Sequence, residues 1–298
     1  MDKISIFWFR RDLRLHDNVA LFNALKSGEK VLPIFIFDTS ILDKLPKNDA
    51  RVSFIIKELR SMNEHLKSFD ASIDILHGKP IEVFESLIKK YQIASVFTNQ
   101  DYEPYAIRRD QEILELLKSE NINFNSFKDQ VIFEKNEITK KDGNPYVVYT
   151  PYSKKWIEAY ELINHTHYTS EDLLSQLYTR SKAKELTLEE LGFEETNTPI
   201  KNYIFNSRII NEYEETRNFP ALDNTSKLGP HLRFGTVSVR QMVSRAEEQE
   251  NKTFLKELIW REFFMQILWH FPHTHKDSFK PKYDRIIWRN NEDDFKTW

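Results

Sequence analysis

Apolar residues in the first part of the chain occur in two kinds of run. Short, nearly continuous apolar runs at residues 4–9 and 31–37 are typical of parallel strands that are buried on both faces. Longer stretches between such runs carry apolar residues at helical spacing. This alternation predicts an α/β fold with a doubly wound, Rossmann-like parallel sheet of five strands. The other strands are predicted at 72–76, 94–98 and 131–133, and the helices at 53–69, 81–91 and 109–118.

The pattern changes twice along the chain, and the changes predict three regions. Residues 1–134 form the α/β domain, and residues 135–200 are polar and interrupted by turn signals, as expected of a connector with short helices. From residue 201 the strand-like runs are absent, so residues 201–298 are predicted to form an all-α domain.

Three helices are predicted in the all-α domain. Apolar spacing places the first at residues 201–216. Ser238 precedes the second, at 239–249, and Thr253 precedes the third, at 254–271. Both residue types are favourable N-caps, so each is predicted to cap the helix that follows it.

Composition excludes several classes of protein. The formal charge of −3 over 298 residues does not favour a protein coated with nucleic acid, and the absence of Cys excludes disulfides, thiolate metal sites and a Cys nucleophile. The six Gly residues fit neither a dinucleotide fingerprint nor a phosphate loop. No apolar run approaches the roughly 18 residues of a membrane span, and the start is not a signal peptide. We therefore expect a cytoplasmic monomer without a membrane partner.

A candidate anion site lies at residues 225–228. Thr225, Ser226 and Lys227 place two hydroxyls and an ammonium at the predicted start of a short helix. Free amides and hydroxyls at a helix start suit a phosphate or pyrophosphate. The alternative is an ordinary N-cap with an exposed lysine, and these residues alone favour that alternative.

One face of the last predicted helix carries residues suited to a ligand site. Glu257, Trp260, Arg261 and Phe264 are spaced so that they share this face. A carboxylate, an indole, a guanidinium and a phenyl ring suit a cavity that stacks a planar ligand and anchors it. The alternative is an intrahelical ion pair between Glu257 and Arg261 beside core aromatic residues.

Four motifs together resemble the photolyase/cryptochrome family, and most closely its members that repair cyclobutane pyrimidine dimers. The resemblance implies an antenna-binding α/β domain, a connector and a helical domain that holds FAD. The motifs occur in the family's order and are ISIFWFRRDLRLHDN at 4–18, GNPYVVYTPYSKKW at 143–156, TSKLGPHLRFG at 225–235 and KELIWREFF at 256–264.

The resemblance also implies roles for individual residues. Trp260 would stack on a flipped-out dimer, and Glu257 would hydrogen-bond its base edges and stabilise the radical anion. Arg217 would contact a DNA phosphate, and Trp288 matches the outermost tryptophan of the chain that photoreduces the flavin. The residues implied to hold the flavin phosphates and ribityl chain are Tyr213, Thr225, Ser226, Lys227, Leu228 and Gly229, with Arg261 beside them.

The implied activity is that of a carbon–carbon lyase, which repairs UV-damaged DNA by light-driven electron transfer from reduced FAD to the dimer. A cryptochrome-type blue-light photoreceptor without repair activity is the alternative, and a nucleotide- or DNA-binding module that has lost catalysis is a third interpretation. The resemblance places Gln at position 257 in the (6-4) and animal-cryptochrome branches, so Glu257 favours dimer repair.

The chain departs from the family pattern at three points. Gly229 stands where Ser is usual, and Lys227 stands where Arg is common, which loses the planar fork. The family's helical domain continues beyond the point that matches Trp298. We therefore expect an active parent that is longer, and we expect this chain to bind FAD weakly or not at all.

Some residues leave alternatives open. Residues 99–110 lie where the family places a second, antenna chromophore. Its type is unknown, and Tyr105-Ala106 supports a deazaflavin or flavin better than folate. The arginines after the first strand could meet an anion or the domain interface, and a histidine group is interpreted as a solvated helix end rather than a metal site. These residues are Arg10, Arg11, Arg14 and His270, His273, His275.

Overall fold

A five-stranded, all-parallel sheet forms the centre of the N-terminal part of the protein. In this computed structural model, which describes residues 3–179 and 186–298, the strand order is β3-β2-β1-β4-β5. The chain moves outward from β1 in one direction and then returns to add strands on the other side, so the sheet is doubly wound, as predicted. The strands are β1 (Lys3–Phe9), β2 (Lys30–Asp38), β3 (Asp74–Gly78), β4 (Gln92–Asn99) and β5 (Asn123–Phe127).

The prediction of the fifth strand at residues 131–133 is wrong. β5 lies earlier in the chain, and its sequence NFNSF is half polar, which suits an edge strand that pairs only with β4. Residues 131–133 are buried, but the amides of Ile132 and Phe133 donate to the carboxylate of Glu262. A helix therefore covers this apolar run, which does not pair with the sheet.

Helices connect the strands and then form the rest of the protein. Two short helices near the N-terminus have no counterpart in the prediction, because four or seven residues are too few to show a period. The helices are α1 (Val19–Leu25), α2 (Thr39–Leu42), α3 (Ala50–Leu66), α4 (Pro80–Lys90), α5 (Pro104–Ser119), α6 (Tyr149–Tyr160), α7 (Ser207–Thr216), α8 (Leu228–Phe234), α9 (Val239–Glu247), α10 (Thr253–His270) and α11 (Glu292–Thr297). Short 3₁₀ helices lie at Lys67–Phe69, Ser170–Gln176, Pro272–His275 and Pro281–Arg285.

Capping residues set the starts of the helices in the C-terminal part. Ser238 caps α9 through its side chain, as predicted. Thr253 is the first residue of α10 and not its cap. The amide of Thr253 donates a hydrogen bond to the side chain of Asn251 at 2.8 Å. Helix α7 begins at Ser207, six residues later than predicted, because Asn206 caps it there.

Buried hydrophobic side chains form three clusters. Two of them lie on opposite faces of the sheet, with Phe7 and Phe9 in one and Ile6 and Trp8 in the other, as the alternation of side chains along β1 requires. The third cluster packs α6 against α9 and α10. Parts of the predicted connector thus belong to different cores, since residues of α6 join the third cluster, whereas Leu174 joins the first.

A buried ion-pair network fixes the loop after β1 to α9. Arg14 binds Asp129 at 2.7 Å, and Arg240 binds both Asp129 at 2.9 Å and Asp17 at 3.0 Å. Burial alone would raise the pKa of Asp129, but the two guanidinium groups lower this pKa below its ordinary value. Buried charges need such partners, and this network, which we call the junction network, joins the two parts of the protein.

The same junction contains a close backbone contact at Gly235. This residue has a φ of +65°, and a Cβ placed on it would lie 2.0 Å from the carbonyl oxygen of Arg11. The neighbouring amide of Leu13 donates to the carbonyl of Phe234 at 3.0 Å. Only glycine fits this position, for both conformational and steric reasons.

No helix within the described ranges is both long enough and apolar enough to cross a membrane.

Candidate functional site

A stack of aromatic rings lies beside α10 at its contact with the start of α6. The indole of Trp260 lies on the ring of Tyr149, with the ring centroids 3.6 Å apart and the planes 8° from parallel. Phe264 stacks on Trp260 at 5.4 Å and is 61% exposed. The hydroxyl of Tyr149 donates to the carbonyl of Lys256 at 2.8 Å, so the supporting ring is itself held in place.

Tyr149 is a site residue that the sequence analysis missed. It belongs to the motif at 143–156, but nothing in its local spacing indicates contact with α10, which is more than 100 residues away in the chain. Burial and the charge of Glu257 raise the pKa of Tyr149 to about 12. The phenol is therefore neutral at physiological pH and acts as a hydrogen-bond donor.

An ion pair lies next to this aromatic stack. Arg217, the residue that ends α7, places Nη1 2.5 Å from Oε1 of Glu257 on α10. The two side chains are 38% and 37% exposed, and the guanidinium lies 5.8 Å from the ring centroid of Tyr213. The predicted alternative, an intrahelical pair of Glu257 with Arg261, is wrong, because Arg217 takes this carboxylate.

Arg261 points to the junction between the two parts of the protein. Its guanidinium donates to the carbonyls of Gln130, at 2.8 Å, and Leu232, at 3.3 Å. Burial lowers the pKa of Arg261 to about 10, although the nearby carboxylate of Glu262 acts to raise it. Its donors are bound to the backbone of the junction and of α8. The expectation that Arg261 lies beside the flavin phosphates therefore gains no support from its contacts.

The turn at residues 225–229 has the donors that an anion needs. Lys227 adopts a left-handed conformation, with a φ of +55°, immediately before α8, and its ammonium binds Asp223 at 2.6 Å. In the described part of the chain, the hydroxyl of Thr225 and the amides of Lys227 and Gly229 have no hydrogen-bond partner. Space is open where a Cβ on Gly229 would lie. Hydroxyl, amide and ammonium donors on one open turn fit the phosphates of a dinucleotide such as FAD.

The remaining predicted cofactor and electron-transfer residues are dispersed. Tyr213 packs against Phe254 with centroids 5.1 Å apart, and Leu228 is buried at the start of α8. Trp288 is 75% exposed and lies before α11. Three cavities with volumes of about 450, 290 and 400 Å³ occur among the described residues, and none of them is lined by a predicted site residue. The described residues thus supply donors for the phosphates, and none of these three cavities adjoins those donors.

Glu262 is the second site residue that the sequence did not reveal. Its carboxylate is 2% exposed and accepts the amides of Ile132 and Phe133, at 2.6 and 3.0 Å, and the indole N–H of Trp156, at 2.6 Å. Burial raises the pKa of Glu262 to about 7. These bonds fix α10 along its axis and hence position Glu257 and Trp260.

The three arginines after β1 all have carboxylate partners. Arg10 binds Asp110 at 2.5 Å and Arg11 binds Glu103 at 2.6 Å, whereas Arg14 belongs to the junction network. The contacts of Arg14 with the backbone of Gly235 and with Asp129 thus place it at the interface between the two parts.

A hydrogen bond joins the segment expected to hold a second chromophore, residues 99–110, to the end of β2. The hydroxyl of Tyr105 donates to the carboxylate of Asp38 between α5 and the end of β2. Burial, followed by this carboxylate, raises the pKa of Tyr105 to about 12.

The histidine group near the end of α10 binds the protein backbone. His270 lies 3.0 Å from the carbonyl of Lys135, and His275 lies 2.6 Å from the carbonyl of Pro272. Within residues 3–179 and 186–298, no three candidate ligand side chains are grouped to hold a metal ion.

Two family models match this chain. Residues 5–189 match the model of DNA photolyase, and residues 254–298 match the model of the FAD binding domain of DNA photolyase. The doubly wound sheet, followed by helices that carry a phosphate-type turn, agrees with these two matches. The chain belongs to the DNA photolyase family.

Individual relatives agree with this assignment. A deoxyribodipyrimidine photo-lyase from a Synechococcus species is 30% identical over 98% of this chain and 66% of that protein. A bacterial class III photolyase from Agrobacterium tumefaciens has a TM-score of 0.81 at 26% identity, covering 100% of this chain and 65% of that one. An archaeal photolyase from Sulfolobus tokodaii, solved with two FAD molecules, has a TM-score of 0.78 at 26% identity, covering 100% and 66%. This chain therefore spans about two thirds of the length of these relatives.

Proposed function

We propose that the protein is a light-dependent DNA-repair lyase that splits cyclobutane pyrimidine dimers, with reduced FAD as its cofactor. The observation that carries the proposal is the juxtaposition of Arg217, Glu257 and Trp260 on one accessible surface of a chain of this family. The name deoxyribodipyrimidine photo-lyase among the relatives supports it. The activity of the whole protein, its action as a cytoplasmic monomer and the binding of a second chromophore all belong to the proposal.

DNA binding begins with the backbone in this proposal. A guanidinium such as that of Arg217 binds a phosphate through two parallel hydrogen bonds, and this contact positions the duplex without reading its sequence. A dimer inside the duplex must leave the base stack before the protein can act on it, and a damaged base costs least to unstack. The flipped-out dimer then meets the aromatic and acidic surface of α10.

Trp260 and Glu257 recognise different parts of the dimer. The indole of Trp260 offers a stacking surface for the pyrimidine rings, and the stacked ring of Tyr149 keeps this surface rigid. The carboxylate of Glu257 accepts hydrogen bonds from the N–H groups on the base edge. Positioning is the contribution of these residues to the rate, because a fixed reacting geometry lowers the entropic part of the barrier.

The turn at 225–229 would hold the cofactor phosphates through Thr225, Ser226, the ammonium of Lys227 and the amides of Lys227 and Gly229, and Leu228 and Tyr213 complete the proposed set of cofactor residues. When bound, reduced FAD supplies the electron whose light-driven transfer opens two carbon–carbon bonds of the cyclobutane ring and which then returns, so no net electron is consumed. We expect this chain to bind flavin weakly, since none of the three cavities is lined by a residue of the proposed cofactor set.

The proposal is tested with the 298-residue chain, excess reduced FAD and an oligonucleotide that contains one thymine dimer. We expect dimer loss in light and none in darkness. Glu257→Gln is expected to slow repair about 10-fold or more while flavin binding is unchanged. Glu215→Gln, which removes the same charge from an exposed position on α7, serves as the matched control and is expected to repair normally.

The outcomes separate the two family activities. Flavin binding without light-dependent dimer loss would contradict repair and support a cryptochrome-type photoreceptor. A Glu257→Gln variant that repairs at the normal rate would show that this carboxylate has no role in the reaction. An FAD-like visible spectrum in the chain as purified would contradict the expectation of weak flavin binding.

A further inference from the structure

Arg217 and Glu257 form an ion pair with each other, but the proposed function gives them different partners. Arg217 would bind a DNA phosphate, and Glu257 would bind the base edge of the dimer. Arg217 ends α7 and Glu257 lies in the second turn of α10, so the pair bridges two helices at the edge of the aromatic stack. Among the described residues, neither side chain takes part in a second ion pair. Without DNA, each group therefore satisfies the other's charge.

The surroundings make this pair exchangeable. Both side chains are more than one third exposed, so solvent screens their attraction, and such pairs bias an equilibrium by only about two- to fivefold. A DNA phosphate offers the guanidinium two charge-assisted hydrogen bonds, and forming them releases a condensed counterion. A phosphate next to the pair can thus displace the carboxylate.

We propose that Arg217 and Glu257 form a charge-exchange pair that favours contact of Arg217 with the DNA backbone where a lesion is present. A phosphate takes Arg217 and leaves the carboxylate of Glu257 free. A flipped-out dimer supplies N–H donors to that carboxylate, whereas intact DNA supplies none and leaves it unpaired beside phosphates that repel it. The pair is therefore closed more often on intact DNA than on dimer-containing DNA, by a bias of about two- to fivefold.

This inference rests on the proposed function, because both partners of the exchange come from it. It adds a determinant of specificity that stacking on Trp260 alone does not provide. Arg217 contacts the DNA backbone and Glu257 contacts the base edge. The free energy of each contact depends on whether the other contact has formed.

The test compares the salt dependence of binding for two otherwise identical duplexes, one with a thymine dimer and one intact. Fluorescence anisotropy with the full chain gives the dissociation constants over a range of salt concentrations. For the unmodified protein, we expect the slope of log K against log salt to be steeper for the dimer duplex by up to about 0.9, the value of one extra phosphate contact.

The variants give the decisive contrast. Glu257→Gln is expected to raise the affinity for intact DNA about two- to fivefold and to steepen its slope to that of the dimer duplex, since Arg217 is then always free. Arg217→Ala is expected to flatten the dimer slope and to leave the intact slope unchanged. Glu215→Gln, which removes a charge from the same helix without touching the pair, is expected to strengthen binding of both duplexes equally.

Each result supports or overturns a defined statement. A preference for the dimer duplex together with equal slopes, or a Glu257→Gln variant with an unchanged intact slope, overturns the exchange and leaves the proposed function standing. Parallel effects of Glu257→Gln and Glu215→Gln on the two duplexes would show simple charge removal and would also overturn it. No preference for the dimer duplex in the unmodified protein overturns both the exchange and DNA-lesion recognition.

Discussion

Two sets of ion pairs in this protein use the same chemical groups in opposite surroundings. In the junction network, Arg14 and Asp129 are 3% and 1% exposed, whereas Arg217 and Glu257 at the candidate site are 38% and 37% exposed. When a buried charge loses its partner, no water is present to solvate it, whereas water solvates an exposed charge that loses its partner. The ion pairs of the junction network therefore hold the two parts of the protein together, whereas the pair of Arg217 and Glu257 can exchange its partners.

The largest expected effect tests the junction network. Asp129→Ala leaves the guanidiniums of Arg14 and Arg240 without their shared carboxylate, so the free energy of unfolding should fall by about 3–5 kcal/mol. Urea unfolding measures this change. Glu257→Ala is the matched control, and it should change the free energy of unfolding by less than about 1 kcal/mol. Equal effects of the two substitutions would remove the distinction between the two sets of pairs.

A second prediction concerns the pH dependence of a buried carboxyl that has no ion-pair partner of its own. The pKa of Glu262 is about 7 in the folded protein, above the ordinary value of 4.5, so the folded state holds its proton after the unfolded state has lost it. The contribution of Glu262 to stability should therefore be full below about pH 4.5 and should decline up to about pH 7, by about 3 kcal/mol in total.

Glu262→Gln should remove this decline, because the amide does not titrate. The measurement is the free energy of unfolding by urea at several pH values between 4.5 and 7, compared for the two proteins. Asp129→Asn is a contrast, since its carboxyl has a pKa below the ordinary value of 3.8 and does not titrate in this range, so this variant should keep the decline. An identical pH profile for Glu262→Gln and the unmodified protein would refute the assignment of the titration to Glu262.

The smallest expected effect concerns the ring behind Trp260. Tyr149→Leu removes the stacked ring and should lower stability by about 1 kcal/mol and weaken binding of dimer-containing DNA about fivefold. Tyr149→Phe keeps the ring and loses only the bond to the carbonyl of Lys256, so it should retain most of the DNA affinity. If the Phe and Leu variants lose equal affinity, the hydroxyl, and not the stacking, supports Trp260.

Much of the α/β part could be predicted from sequence because its strands are buried on both faces. Continuous apolar runs at β1 and β2 leave little choice of structure. β5 was missed because an edge strand with one neighbour keeps polar residues, and the nearby run at 131–133 is apolar for a different reason. An apolar run in the sequence indicates that its residues are buried, but it does not indicate which element covers them.

The candidate site was predicted in part, for a related reason. Spacing along α10 places Glu257, Trp260 and Phe264 on one face, and the structure agrees. The partner of each residue depends on contacts distant in sequence, so Tyr149 and the pairing with Arg217 could not be derived from helical spacing. The backbone partners of Arg261 could not be derived for the same reason, since helix geometry gives the direction of a side chain but not its neighbour in that direction.

The close contact at Gly235 has a consequence for the order in which the protein is made. The last strand of the sheet ends at residue 127, but the backbone that seals the loop after β1 is synthesised roughly 110 residues later, or about 5–20 s later at typical ribosomal rates. During this interval, the carboxylate of Asp17 lacks Arg240 and the N-terminal loop is exposed to solvent. The nascent chain can therefore complete its sheet early, but the two parts of the protein can form their junction only after Gly235 and α9 have been synthesised.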